Sequence, residues 1–313
     1  MKTITGLNTD KLIKNTFLTI GVYDGIHIGH RLILETLVND ARINNGNSVV
    51  ITFHPHPMRL LLPEYCPPLI TSTGHKLDLL ENIGIDFCFI IPFTKEFSET
   101  SAEDFLENNL FNNFKITEIC IGHDFSFGKD KKGNMNLLFE LSKKNDFYLK
   151  KIPPVKLDDL IVSSTLIRKL IIAGELELVE LMLKRKYSLW GTVVEGYTIG
   201  RKIGYPTANI DPHHEAIPPS GVYIVKIILD GKKYNGILNI GLRPTFSVSD
   251  DLKETIEVHI FDFNENIYKK NIEVVFLKKI REEKRYPNTE SLIKQIKLDE
   301  IQAKKYFEKN IIC

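Results

Sequence analysis

Two textures of apolar patterning divide the chain. In the first half, short runs that are almost wholly apolar alternate with amphipathic segments. "FLTIG" (17–21), "SVVITF" (48–53), "FCFII" (87–91) and "ITEICIG" (116–122) predict strands. The second and third are nearly continuous in apolar residues, as expected of strands covered on both faces. Between them, "HRLILETLVNDARINNG" has helical spacing and stops at Gly46, and "KLDLLENIG" stops at Gly84. "SAEDFLENNLF" opens on a capping Ser101 with Asp104 three residues on. This alternation predicts an α/β fold, a doubly wound, Rossmann-like parallel sheet. "SSTLIRKLIIAG" (163–174) and "ELELVELML" (175–183) predict two consecutive helices.

After "KRKYSLWG" the texture changes. "WGTVV", "GVYIVKIIL", "YNGILNIG", "ETIEVHIFDF" and "NIEVVFLKKI" are strand-like with no helical pattern between them. Asp230–Gly231 is a hairpin signal joining two of them. One amphipathic helix near 289–309 closes the chain, with Leu292, Ile293, Ile296, Ile301 and Phe307 as its apolar side. The second half therefore predicts a small antiparallel barrel or sandwich with a terminal helix. The boundary between the halves gives two domains, 1–183 and 184–313.

Composition narrows the function classes. The 313 residues carry 41 basic against 40 acidic side chains, a net charge of +1, so no polyanion-binding surface and no nucleic-acid partner is expected. No apolar run approaches the ~18 residues of a membrane span, and the start "MKTITGLNTDKLIK" has no signal-peptide core. The four cysteines (Cys66, Cys88, Cys120, Cys313) form no CxxC pair, which argues against a zinc site and fits a reducing cytoplasm. Oligomeric state is open between a monomer and a weak homo-oligomer.

The candidate chemistry begins at "GVYDGIHIGH" (21–30), where the first strand ends and the first helix starts. In an open parallel sheet, ligands bind at the carboxyl ends of the strands, and a helix N-terminus there offers free N–H groups to an anion. Gly21 and Gly25 allow a tight turn, and Gly29 lets a phosphate approach the backbone. His27 and His30, one helical turn apart, are placed to donate to phosphate oxygens as charge develops on phosphorus. HIGH is also a signature of one class of aminoacyl-tRNA synthetase, but the KMSKS-like motif that class needs is missing. In its place "VSSTLIRKLI" sets Ser163, Ser164 and Thr165 at a helix start with Arg168 one turn on, a second phosphate cradle.

Two further loops follow predicted strands. "TFHPHP" (52–57) carries His56, and "IGHDFSFGKDKKGN" (121–134) carries Asp124, Phe125, Phe127 and Gly128, suited to a flat aromatic ligand, beside "KDKKGN", which reads as a mobile basic flap. In the second half, Gly191, Gly196, Gly200 and Gly204 in "GTVVEGYTIGRKIGYPTANI" are spaced to wrap a polyphosphate in backbone amides, without a Walker A lysine. Thr207 and Asn209 alternate across Ala208, so on an extended chain both point to one side, and their oxygens suit a partly hydrated Mg²⁺. In "TIEVHIFDF", Ile256, Val258 and Ile260 share one face, Glu257 and His259 the other.

These pieces, in this order, resemble the bacterial bifunctional riboflavin kinase/FMN adenylyltransferase family, also called FAD synthetase. G-V-Y-D-G-I-H-I-G-H, T-F-H-P-H-P, G-H-D-F-S-F-G and V-S-S-T-L-I-R carry the likeness in the first half. "GRKIGYPTANI" (200–210), "GVY" (221–223), "NIGLRPTF" (239–246) and "EVHIFDF" (257–263) carry it in the second. The resemblance implies that riboflavin is phosphorylated by ATP in the second domain and that FMN is adenylylated by a second ATP in the first, giving FAD. It implies Mg²⁺ for both steps, with Thr207 and Asn209 on the metal in the kinase. In the adenylyltransferase it implies catalytic roles for His27, His30 and Arg168, nucleotide contacts from Gly21, Asp24, Gly29, Ser164 and Thr165, and flavin contacts from His56, Asp124 and Phe125. In the kinase it implies ATP contacts from Gly196, Gly200, Arg201 and Gly204, Glu257 as the base on the riboflavin 5′-hydroxyl, and closure over the flavin by Arg281 and Glu283. Tyr23 and Tyr205 stand where the family usually has Phe. Leu166 stands where it often has an arginine, leaving Arg168 more of the charge.

Overall fold

The near-continuous apolar runs of the first half become the middle of a six-stranded parallel sheet. Its strands are β1 (Lys2–Thr5), β2 (Ile13–Ile20), β3 (Asn47–His54), β4 (Phe87–Pro92), β5 (Phe114–Gly122) and β6 (Tyr148–Ile152), in the spatial order β1-β4-β3-β2-β5-β6. The computed structural model describes residues 1–7, 13–195, 204–244 and 252–310, and the chain divides into two compact units, Met1–Leu166 and Ile167–Cys313.

The four predicted strands are the inner ones, with Leu18, Val49, Ile51, Phe89 and Ile119 wholly buried; burying each such side chain contributes about 1.5–3 kcal/mol. The two edge strands escape the apolar pattern because β1 and β6 are largely exposed. Helix α1 (Ile28–Ile43) buries Ile33, Leu34, Leu37, Val38 and Ala41, one stripe at helical spacing. The helix Thr73–Ile83 ends where Gly84 takes a left-handed φ of 95°. Ser101 caps its helix as expected, accepting from the Asp104 N–H at 3.0 Å. From β2 the order runs one way through β3 and the other way through β5, so the topological switch lies between β2 and β5.

The predicted consecutive helices are Ser164–Ala173 and Leu176–Leu183, separated by Gly174 at φ 85°. A two-stranded hairpin of β7 (Lys156–Leu157) and β8 (Leu160–Ile161) precedes these helices. The second unit then forms a closed antiparallel barrel from β9 (Ser188–Val194), β10 (Ala208–Asp211), β11 (Gly221–Leu229), β12 (Lys232–Pro244), β13 (Leu252–Ile260) and β14 (Asn271–Arg281). The order is β10-β13-β12-β11-β14-β9, with β9 pairing back onto β10. Asp230 and Gly231 form the two-residue turn between β11 and β12, both with positive φ (49° and 76°), the backbone a type I′ hairpin needs.

The terminal helix runs from Thr289 to Lys309 and buries Asp299, Ala303 and Phe307. One expectation fails there: Ile301 is 50% exposed, while Asp299 is 2% exposed. The buried stripe runs through 296, 299, 303 and 307, and a polar residue holds one of its positions because Arg281 pairs with it. Among the described residues, no helix is long and apolar enough to cross a membrane.

Candidate active sites

The loop after β2 is folded under local constraint. Tyr23, Gly25 and Ile26 all have positive φ (52°, 85° and 40°). Left-handed backbone at a β-branched isoleucine costs free energy and persists only where the surroundings fix it. Asp24 supplies that fixing. Its buried carboxylate accepts from the Ile70 N–H at 2.9 Å and the Thr71 N–H at 2.9 Å, and the Gly25 N–H donates to the Thr71 hydroxyl at 3.0 Å.

The turn delivers His27 as the N-cap of α1. Its Nδ1 accepts the His30 backbone N–H at 3.3 Å, which places the proton of the neutral ring on Nε2. The His27 and His30 rings stack with centroids 3.7 Å apart, and Tyr23 meets His30 edge-on at 5.1 Å. Burial, with His27 and Lys76 nearby, holds the His30 pKa well below the ordinary histidine value, so His30 is a neutral donor near pH 7. A Cβ on Gly29 would lie 3.1 Å from the His27 ring, so the glycine makes room for the stack.

Beside this pair, between the carboxyl ends of the strands, opens a cavity of about 830 Å³. Gly21, Val22, Tyr23 and His30 line it on one side, with His56, Asp124, Phe125 and Phe127 also on its wall. His56 caps the short helix Pro57–Leu61, accepting from the Met58 N–H at 3.1 Å. Phe125 and Phe127 stack at 5.3 Å, and Phe127, Phe105, Phe97 and Phe53 continue an aromatic chain at 5.9–6.1 Å steps. The side chain of Asp124 is 82% exposed, 3.8 Å from His123 Nδ1. The expected basic flap is a pinned turn. Phe127 and Gly133 exchange both backbone hydrogen bonds, at 3.0 and 2.9 Å, and the Lys129 N–H donates to Thr100 at 2.9 Å.

The hydroxyl cluster lies at the start of the helix Ser164–Ala173. The Ser164 hydroxyl donates to the Asp24 carbonyl at 2.8 Å, while Ser163 Oγ accepts from the Leu166 N–H at 3.3 Å. Thr165 is exposed and Leu166 half-buried; Arg168, one turn on, is buried.

In the barrel, Glu257 of β13 lies opposite Asn209 of β10 on one side and Asn239 of β12 on the other. Directly paired residues share a face, so one carboxylate stands between two amides. The Thr207 hydroxyl donates to Glu257 Oε2 at 3.3 Å. The alternation read from sequence holds, with Ile256, Val258 and Ile260 buried and Glu257 and His259 half-buried. His259 Nδ1 donates to the Pro206 carbonyl at 2.8 Å, and its ring meets Tyr205 at 5.5 Å.

Two cavities flank this row. One of about 540 Å³ is lined by Glu257, Asn239, Thr207, Tyr205, Tyr286 and the terminal helix at Leu292 and Ile296. The other, about 320 Å³, is lined by Thr207, Asn209, Phe263 and Tyr268. Arg281 is held by Asp299, with Nε at 3.0 Å and Nη2 at 2.7 Å from Oδ2, and it donates to the Glu282 carbonyl at 3.0 Å. The Glu283 carboxylate lies against the backbone of Gly241. Gly204 has a left-handed φ of 84°. Gly196, Gly200 and Arg201 lie outside the described residues.

Sequence reasoning passed over several residues of these sites. Asn239 is one, though its motif was visible; only the register reveals that it faces Glu257. Phe53 lies in a predicted strand and Lys76 opens a predicted helix, and nothing in either pattern, or around Phe97, marks these residues for a site.

Comparison with known proteins gives a consistent result. Residues 9–166 match the family model for FAD synthetase and residues 183–307 that for riboflavin kinase. A protein of Buchnera aphidicola subsp. Schizaphis graminum named bifunctional riboflavin kinase/FMN adenylyltransferase is 38% identical over 310 residues, 98% of this chain and 99% of that protein. Its namesake from Haemophilus influenzae is 36% identical over 98% of this chain and 99% of its own length. A crystal structure described as a macrolide-efflux protein from Streptococcus pneumoniae matches with a TM-score of 0.79 at 30% identity, covering 97% of this chain and 99% of that one. Both halves, each with its own cavity and polar cluster, are accounted for by one family, and the chain belongs to the bifunctional riboflavin kinases/FMN adenylyltransferases.

Proposed function

We propose that the barrel phosphorylates riboflavin and that the parallel-sheet unit adenylylates the resulting FMN. The carrying observation is that each unit has its own cavity with its own polar cluster: the stacked His27/His30 pair in one, the Asn209–Glu257–Asn239 row in the other. We assign residues 1–183 to the second reaction and 184–313 to the first.

In the kinase, Glu257 takes the proton of the riboflavin 5′-hydroxyl as its oxygen attacks the γ-phosphorus of ATP, and ADP leaves. The 540 Å³ cavity beside Glu257 takes the flavin, its walls supplying apolar and aromatic surface from Tyr205, Tyr286 and Leu292. The cavity on the Asn209 side takes the nucleotide, with Gly204 and, by motif, Gly196, Gly200 and Arg201 on the phosphates. Thr207 and Asn209 offer neutral oxygens, and Glu257 Oε2 lies near the first. That donor set fits a Mg²⁺ that keeps most of its waters, and these residues would hold it; when bound, it neutralises phosphate charge. Arg281 and Glu283 close the flavin side.

In the adenylyltransferase, an FMN phosphate oxygen forms a bond to the α-phosphorus of ATP while the α–β bridging bond breaks and pyrophosphate leaves. His27, through Nε2–H, and His30 donate to the oxygens on which charge grows. Gly21, Gly29 and the hydroxyls of Ser164 and Thr165 position the nucleotide, and Arg168 supplies a forked donor. Asp24 shapes the loop that carries the histidines. The aromatic wall of Phe125 and its neighbours, with His56 and Asp124, receives the isoalloxazine. ATP-fuelled chemistry and the free thiols Cys66, Cys88 and Cys120 support a reducing cytoplasm as the enzyme's location.

The test is a chromatographic time course of the purified protein with riboflavin and MgATP. FMN accumulates first, then FAD with pyrophosphate in equal amount. A protein that binds riboflavin and ATP yet forms neither product contradicts the proposal.

A further inference from the structure

One buried cation in the first unit has no part in the chemistry above. Lys76, on the helix Thr73–Ile83, is 5% exposed. Its Nζ donates to the Val22 carbonyl at 2.9 Å and to the Thr52 hydroxyl at 3.1 Å. Thr52, itself wholly buried near the end of β3, also donates to the Val22 carbonyl, at 3.2 Å. A lysine is rarely so buried without a reason beyond packing, and the two acceptors are well chosen. Val22 belongs to the loop that carries His27, and both Val22 and His30 line the cavity of the adenylyl-transfer site. Lys76 does not line it, so it acts from behind that wall.

We propose that Lys76 is a positioning residue of the adenylyl-transfer site, tying the histidine-bearing loop after β2 to the end of β3 and bringing an ammonium group near His30. The inference rests on the adenylyl-transfer reading of this cavity. The tie works through geometry: the Val22 carbonyl, two residues from the strained Asp24–Gly25 turn, is held by two donors at once. A donor set displaced by about 1 Å costs about 10²-fold in rate, so the anchor's effect falls on turnover.

The charge works through His30, whose Nδ1 is buried with no hydrogen-bond partner among the described residues. Around it stand His27 and Tyr23 from its own segment, Lys76 from the facing helix and, near Lys76, Asp24, Cys88 and His54. Burial, then His27, then Lys76 each disfavour protonation of His30. Removing the lysine charge therefore raises the His30 pKa, and the acidic limb of FAD formation moves to higher pH.

The experiment compares the full-length protein with Lys76→Met, which keeps length and removes charge and donors. FMN and MgATP are supplied, FAD is measured from about pH 5 to 9, and riboflavin phosphorylation by the same samples serves as the control. The expected result is a ~10–100-fold loss in kcat for FAD formation, little change in KM for FMN, an acidic limb shifted to higher pH, and an unchanged kinase rate. A folded Lys76→Met with the wild-type kcat and a superimposable pH profile overturns the proposal. If Lys76→Met does not fold, Thr52→Val carries the test, since it removes one acceptor and keeps the charge. It is expected to lower kcat by ~3–10-fold with no change in the pH profile; a wild-type rate overturns the proposal. Failure of the wild-type protein to make any FAD indicts the adenylyl-transfer reading instead.

Discussion

His27 and His30 are bound to each other before any substrate arrives: His27 Nδ1 accepts the His30 N–H at 3.3 Å, and their rings stack 3.7 Å apart. One consequence concerns Gly29. An alanine there puts a methyl 3.1 Å from His27 Cε1 and 3.2 Å from Nδ1, closer than such contacts normally come, so the ring must give by a few tenths of an ångström and the stack is disturbed. Gly29→Ala is expected to slow FAD formation by ~10-fold or more while riboflavin phosphorylation stays at the wild-type rate. Equal rates of FAD formation in both proteins would show that the stacked geometry is dispensable.

Much of this was legible in the sequence, and the failures have physical causes. Inner strands announce themselves because both faces are buried; β1, β6 and the four-residue β10 do not, being short or exposed at an edge. His27, His30, Thr207 and Glu257 sit in motifs dense enough to read. Asn239 is visible only through the β12–β13 register, and Asp299 breaks the apolar rule that predicts the buried side of the terminal helix. Lys76 gives no signal at all, because a lysine on an amphipathic helix is ordinarily solvated.

The Arg281–Asp299 pair fastens the terminal helix to β14, with the carboxylate 3% and the guanidinium 17% exposed. Asp299→Asn leaves a largely buried arginine without its counter-charge, a loss of about 3–5 kcal/mol. Denaturant unfolding of the second unit is expected to give an unfolding free energy lower by that amount and hence an earlier midpoint, with a fall in riboflavin phosphorylation and normal FAD synthesis from supplied FMN. An unchanged midpoint would mean that the helix is held by Ala303 and Phe307 alone.

Glu118 on β5 lies in a cluster with Asp40 and Lys150. Burial first, then the neighbouring Asp40 carboxylate, pushes its pKa up to about 7. The folded state thus binds a proton that the unfolded chain has released above about pH 4.5, so this group's contribution to stability is complete at low pH and is lost as pH rises through about 7. Glu118→Gln is expected to raise Tm at pH 8 more than at pH 5. A gain confined to pH 5 would reverse the assigned direction.

The domain assignment has its own test. A fragment from 184 to 313 is expected to fold, convert riboflavin to FMN and stop there. A fragment beginning at 167 is expected to be more stable, since the backbone at Gly174 lies close to Pro219, where a Cβ would come within 3.2 Å. A 184–313 fragment that folds and binds ATP but yields no FMN would place essential kinase groups upstream.

The most direct test of the two-site account uses His27→Ala and Glu257→Gln side by side, each given riboflavin or FMN with MgATP. His27→Ala is expected to turn riboflavin into FMN at the wild-type rate and to lose ~10²–10³-fold in FAD formation. Glu257→Gln is expected to leave riboflavin unphosphorylated and to convert supplied FMN to FAD normally. A single substitution that abolishes both conversions in a folded protein would contradict the assignment of separate sites.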